Sequence, residues 1–236
     1  ELSMKDTHFV NCTGLDDSPE AKDHKTSAYD VALMSRELLG KHPDIRKFTT
    51  IWMDTIRNGA FGLSNTNKLV RFYPGATGLK TGFTSGAGYC LSASAKREDL
   101  ELIAVTMGAE SSKIRNAACK TLLDYGFAGF ALVSPTLEPA QVPVRLGKEA
   151  QVEAVLQGES SVLIPKAQKA GLTTEIQLEE CCTAPVEKGT VLGTLTLRSG
   201  GETLLEVPLV AAREVKRKTF LDQLVLILRK ASMAKE

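Results

Sequence analysis

The chain has 236 residues, a formal net charge of +1 and an apolar fraction of 43%. That is long for one domain and comfortable for two, with enough apolar residues to build real cores. Near-neutral charge excludes the strongly basic face of a nucleic-acid binder, and no apolar run reaches the length of about eighteen residues that crosses a membrane as a helix.

The first residues carry no signal-peptide pattern. Glu1-Leu2-Ser3-Met4-Lys5 reads as the end of a helix without its own cap. Residues 6–25 are polar and loop-like, with Gly14, Pro19 and several Asp. Ser27 is an N-cap for a helix that carries Asp30 at its third position, where the carboxylate supports the cap or serves as a second partner near a site. Val31, Met34, Leu38 and Leu39 line one side of that helix and Gly40 ends it. Residues 48–56, apolar and β-branched, read as a strand or strand-like arm, and the Gly/Asn-rich stretch 58–67 must turn.

Next comes Gly78-Leu79-Lys80-Thr81-Gly82-Phe83-Thr84, followed by β-like runs over 88–95 and 100–108 joined by Lys96-Arg97-Glu98-Asp99. This is the pattern of an antiparallel meander. Lys80 then stands on a strand with Thr81 beside it, and Gly82 lets another chain approach the backbone. A cation, a hydroxyl and a bare backbone edge make a seat for a peptide ending in a carboxylate. Ser111 or Ser112 caps a further helix through Ile114, Ala117, Ala118, Thr121, Leu122 and Tyr125, which Gly126 terminates.

After Phe130 the texture changes. Pro135, Pro139 and Pro143 mark a linker, and short runs at 151–156, 161–164, 175–178, 190–198 and 203–210 are separated by Gly-containing turns. They read as a small all-β sandwich. The end is basic (Arg213, Lys216, Arg217, Lys218) and then amphipathic: Phe220, Leu221, Leu224, Val225, Ile227 and Leu228 oppose Asp222, Gln223, Arg229 and Lys230. That pattern fits a helix lying in a membrane interface. The five cysteines are an odd number. Cys12, Cys90 and Cys119 are scattered, with the latter two in apolar patterns, and Cys181-Cys182 are adjacent. None has C-x-x-C spacing, so no metal or cofactor is implied. His8, His24 and His42 are dispersed loop and surface residues.

Lys80-Thr81-Gly82 is also the K-T-G element of the serine penicillin-recognising enzymes, whose other motifs are S-x-x-K and S-x-N. The wider run is Leu63-Ser64-Asn65-Thr66-Asn67-Lys68-Leu69, then 75–84, then Ala87-Gly88-Tyr89-Cys90-Leu91. It resembles the D-alanyl-D-alanine carboxypeptidases, the low-molecular-mass penicillin-binding proteins. Met4-Lys5-Asp6-Thr7-His8-Phe9, Gly14-Leu15-Asp16 and 24–30 resemble them too. The resemblance implies an α+β chain: part of a penicillin-binding-protein/β-lactamase-like domain over 1–132, an all-β domain over 133–212 and an amphipathic anchor helix over 213–236. It implies an extracytoplasmic hydrolase acting on the pentapeptide stem of peptidoglycan and acylated by β-lactams. Lys80 and Thr81 would be the catalytic residues and would hold the terminal carboxylate. Gly82, Phe83 and Thr84 would line the substrate strand, with the Phe83 N–H as an oxyanion donor, and Arg115 would be a second carboxylate anchor. Family members often carry His where Phe83 stands, which removes a titratable group. Neither S-x-x-K nor S-x-N is read within this chain. The expectation is a nucleophile on an upstream segment and no activity from residues 1–236 alone. The rival readings are a non-catalytic wall-binding protein that keeps the groove, and a related β-lactamase.

Overall fold

The computed structural model describes residues 2–225. The chain divides into two compact units, Glu1–Phe130 and Ala131–Glu236.

The first unit is built on the expected meander: β3 (Ala76–Thr84), β4 (Gly88–Arg97) and β5 (Leu100–Ala109), in the order β3-β4-β5 and antiparallel throughout. The last connection is tighter than the sequence suggests. Arg97 stays in the strand because its guanidinium stacks over the rings of Tyr73 and Phe127, leaving Glu98-Asp99 as the turn, with Glu98 at φ +52°. On β4, Leu91, Ala93 and Ala95 alternate with Ser92 and Ser94, and all five are buried. Side chains of a strand alternate between its faces, so both faces must be covered. On one, α4 (Ser112–Gly129) packs Cys119, Leu123 and Phe127 against Leu91, Ala93, Ala95 and Ala104. On the other, Ser35 of α1 (Ala28–Lys41) meets the Ser92 hydroxyl at 2.8 Å, and Thr77 meets that of Ser94 at 2.7 Å. Buried hydroxyls are tolerable there because each has a partner. Tyr73 extends the α4 core, donating to Asp124 at 2.8 Å. Burial, together with the carboxylate that accepts its proton, pushes this phenol up to about 12.

Both helix starts follow the sequence. Ser27 accepts from the Asp30 amide and Ser111 from the Ile114 amide. The ends do not. Gly40 lies inside α1, which ends at Lys41 with His42 as its cap, because Pro43 disfavours helical geometry in the residue before it. Gly126 lies inside α4, and its role is close approach: a Cβ there would stand 2.5 Å from a methyl of Leu102 on β5. Residues 2–4 are not helical, and Ser3 has φ +56°.

The expected strand over 48–56 is half wrong. A short helix, α2 (Arg46–Thr49), precedes β1 (Met53–Ile56). The Thr50 hydroxyl returns to the Arg46 carbonyl at 2.6 Å, and that of Thr49 bonds the Thr77 carbonyl at 2.6 Å. The Arg46 guanidinium pairs with Glu101 of β5. These tertiary anchors override the β preference of the threonines. β1 then pairs with β2 (Phe61–Ser64) through a turn with Arg57 and Asn58 at positive φ, and one helical turn, α3 (Leu69–Phe72), leads into β3.

The second unit is all-β, as expected. β7 (Ala140–Arg145), β8 (Gln151–Leu156), β10 (Leu172–Leu178), β11 (Cys182–Thr183), β12 (Val191–Ser199) and β13 (Glu202–Ala211) form one sheet in the order β10-β12-β13-β8-β7-β11. Two further strands, β6 (Phe130–Val133) and β9 (Val162–Pro165), pair separately. Pro143 stands in the unit that the prolines introduce, within β7 and opposite Gln151. The core gathers Val142, Val152, Leu192, Leu195, Leu209 and Val215. Val215 pairs with Val186 and Arg217 with Gly147, so the module holds the chain past residue 212. Thr219 and Asp222 then cap each other reciprocally, and a helix runs from 220 to the last described residue, 225, with Phe220 and Leu221 exposed. Ile227, Leu228, Arg229 and Lys230 lie outside the described residues. The cysteines are free. Cys119 is buried, Cys90 only half-buried.

Candidate active site

β3 is an edge strand: among the described residues it has β4 on one side and no strand on the other. Register places Lys80 opposite Ser92, Thr81 opposite Leu91 and Gly82 opposite Cys90. Thr81 therefore leans toward the α4 face and Lys80 toward the α1 face, on either side of an open backbone edge. Lys80 is exposed and its ammonium donates to the Thr81 carbonyl.

A cleft of about 720 Å³ opens along this edge, and Lys80, Thr81, Gly82, Phe83, Thr66 and Arg115 are among its lining residues. Thr84 is not. It sits at the end of β3, where its hydroxyl accepts the Ala87 amide and closes the turn. The Phe83 ring is exposed and rests against Tyr89, with centroids 4.4 Å apart.

Arg115, in the first turn of α4, is only 4% exposed. It donates to the carbonyls of Cys90 and Thr66, both at 3.4 Å, and to the Asn116 side chain at 3.2 Å. No carboxylate pairs with it among the described residues. Burial, opposed by the nearby Cys119, Cys90 and Tyr89, lowers its pKa. Buried charges are normally paired, and this guanidinium, which lines the cleft, has no carboxylate partner among the described residues.

The sequence marks Asn65-Thr66-Asn67 as a turn and as part of the run that resembles the family, and assigns none of the three a role in the site. Asn65 donates to the Ile51 carbonyl at 2.9 Å. Asn67, 1% exposed, donates to the Gly78 carbonyl at 3.0 Å and accepts the Leu69 amide at 3.1 Å. The clip so fixed sets the Thr66 hydroxyl 2.7 Å from that of Thr81. Three consecutive residues with short hydrogen-bonding side chains, placed just before a helix, were the available signal.

Asp30 does neither of the things its position suggests. It is 2% exposed, and its carboxylate accepts the Asp6 amide at 2.9 Å and the Thr7 hydroxyl at 2.7 Å, tying the N-terminal segment to α1. His24 accepts the Val10 amide and stacks on Phe9, and His8 contacts the Asp23 carbonyl. Neither reaches the cleft. Among the described residues no cluster of His, Cys, Asp or Glu could hold a metal ion.

One expectation about the sequence itself needs correction. Ser232-Met233-Ala234-Lys235 does spell S-x-x-K. It lies outside the described residues, and it follows K-T-G in the chain, whereas the family resemblance places the nucleophile before it.

An antiparallel sheet covered by helices on both faces, with K-T-G on its open edge, is the arrangement the motif resemblance implies, and comparison with known proteins gives the same answer. Residues 1–111 match the D-alanyl-D-alanine carboxypeptidase family model, and residues 131–217 match that of the penicillin-binding protein 5 C-terminal domain. The D-alanyl-D-alanine carboxypeptidase DacF of Bacillus subtilis is 40% identical over 228 residues, covering 94% of this chain and 57% of that protein. DacC of Escherichia coli is 32% identical over 231 residues, covering 93% and 55%. Among solved structures, penicillin binding protein 5 from Haemophilus influenzae superposes with a TM-score of 0.67 at 28% identity, covering 92% of this chain and 63% of that one. The chain thus spans a little over half the length of the curated relatives it matches. Over 94% of its length it is similar to a D-alanyl-D-alanine carboxypeptidase, and the two matched regions support a low-molecular-mass penicillin-binding protein fragment.

Proposed function

We propose that this chain supplies the K-T-G side of the active site of a serine-type D-alanyl-D-alanine carboxypeptidase. The enzyme trims the terminal D-alanine from peptidoglycan stem peptides on the outer side of the cytoplasmic membrane, and β-lactams acylate it. The observation that carries the reading is the convergence of Lys80, Thr81 and a buried, carboxylate-free Arg115 on the open edge of β3. A stem peptide adds to that edge as a strand. Its terminal carboxylate is held by the Lys80 ammonium, the Thr81 hydroxyl and the Arg115 fork. The Phe83 N–H and the nucleophile's own N–H polarise the scissile carbonyl. The S-x-x-K serine, with its lysine as base, attacks from a segment upstream of residue 1, and water resolves the acyl-enzyme.

Gly82 offers a direct test. A Cβ at this position would meet only Cys90 Cβ, at 3.9 Å, an ordinary contact. In the intact gene product, Gly82→Val should therefore fold normally while its side chain narrows the cleft that Gly82 lines. Crowding of about 1–3 kcal/mol at the binding step corresponds to roughly five- to a hundredfold slower acylation by benzylpenicillin. An unchanged rate would show that nothing adds to this edge.

The tail belongs to the same proposal, as a contact with the membrane surface. Because the β module holds the chain through Lys218, whose amide donates to the Leu146 carbonyl, the informative truncation starts at Thr219. Removing 219–236 should release the intact gene product from vesicles of anionic lipid and leave its melting temperature unchanged. A large fall in melting temperature with vesicle binding retained would place the helix on the protein instead.

A further inference from the structure

We propose that Thr66 is a positioning residue of this site, acting through Thr81. The inference rests on the reading of the K-T-G edge as a carboxylate seat. The two hydroxyls lie 2.7 Å apart, so one donates to the other. A hydroxyl has a single proton. If Thr81 spends its proton on Thr66, it faces an incoming carboxylate with lone pairs and repels it. With Thr66 as the donor, the Thr81 proton points outward and is available to the carboxylate. An anion in the seat therefore selects the order Thr66 to Thr81 to carboxylate, and each hydrogen bond in such a chain polarises the next.

The geometry around Thr66 serves this role. Asn65 and Asn67 anchor the clip to the backbone on both sides, at Ile51 and at Gly78 of β3 itself. The Thr66 carbonyl accepts from Arg115. One residue thus touches both anchors, its side chain on Thr81 and its main chain on Arg115, while the side chain stays exposed in the cleft. Thr66 sets the direction of the Thr81 proton and braces Arg115 without itself contacting substrate.

The test uses the intact gene product and compares acylation by benzylpenicillin with acylation by its methyl ester, which lacks the carboxylate. Thr66→Val keeps the shape and removes the hydroxyl. It should slow the acid about three- to tenfold, the worth of one net hydrogen bond, and leave both the ester rate and the melting temperature alone. Thr66→Ser should restore the acid rate. In the Thr66→Val, Thr81→Val double variant the acid should react no more slowly than in Thr81→Val alone, because residues acting in series are not additive. Equal slowing of acid and ester by Thr66→Val, or multiplying effects of the two substitutions, would overturn the inference. Should Thr81→Val itself fail to separate acid from ester, the carboxylate seat is refuted first, and the role of Thr66 falls with it.

Discussion

Lys80→Ala in the intact gene product is expected to slow acylation by a β-lactam at least tenfold without disturbing the fold. The side chain is exposed and its hydrogen bond among the described residues is to the neighbouring Thr81 carbonyl, so removing it strands no buried group. What is lost is a charge-assisted contact to the ligand, worth about 1.5–3 kcal/mol, or roughly ten- to more than a hundredfold in rate. Lys80→Arg keeps the charge but not the compact geometry and should recover only part of it. Rates like those of the unaltered enzyme in Lys80→Ala would remove Lys80 from the site, and an equal loss toward the methyl ester would mean that it serves something other than the carboxylate.

Arg115 should show the opposite balance of stability and function. Burying a guanidinium against neutral partners is costly, and no carboxylate on this chain offsets it among the described residues. Replacing it with an apolar residue of similar length relieves that cost while deleting the anion's partner. Arg115→Met should therefore hold or raise the melting temperature and lower kcat/KM for a D-Ala-D-Ala peptide about ten- to a hundredfold, the worth of a charge-assisted fork. Arg115→Lys should not rescue activity, since a point charge cannot reproduce two parallel donors. A steep loss of thermal stability in Arg115→Met, with activity falling only in proportion to the folded fraction, would make the residue a structural brace.

These two residues also show what the sequence makes legible. Lys80 was placeable because strand alternation and the Gly82 break are local signals, and β3, β4 and β5 stand where their patterns put them. Arg115 came from the family resemblance, at a helix start that the Ser111 cap marks in the sequence. Thr66 was hidden. Its neighbours Asn65 and Asn67 look like any turn, and their partners at Ile51 and Gly78 are distant in sequence. The same cause explains the misread start of the strand expected at 48–56, where Arg46 reaches Glu101 and Thr49 reaches the Thr77 carbonyl. Gly126 looked like a terminator because the residue it accommodates, Leu102, is on another strand. In the β module the strands were legible from their turns, but the return of Val215 to Val186 was not, since a single bridge leaves no periodicity.

Another cleft of this unit bears on the proposed upstream segment. It measures about 340 Å³ on the α1 side of the meander and is lined by Val31, Met34, Leu38, Leu79, Val105 and Met107. Met34 and Met107 are 37% and 40% exposed there. Apolar surface of this kind calls for a cover, and we propose that the nucleophile-bearing segment provides it.

The most direct measurement is therefore the position of the acyl group. The intact gene product is labelled with a fluorescent penicillin, digested and mapped by peptide mass. The account predicts one adduct, on the serine of an S-x-x-K motif upstream of residue 1, and none on residues 1–236. An adduct on any serine of this chain, Ser232 included, or no adduct at all, would contradict it.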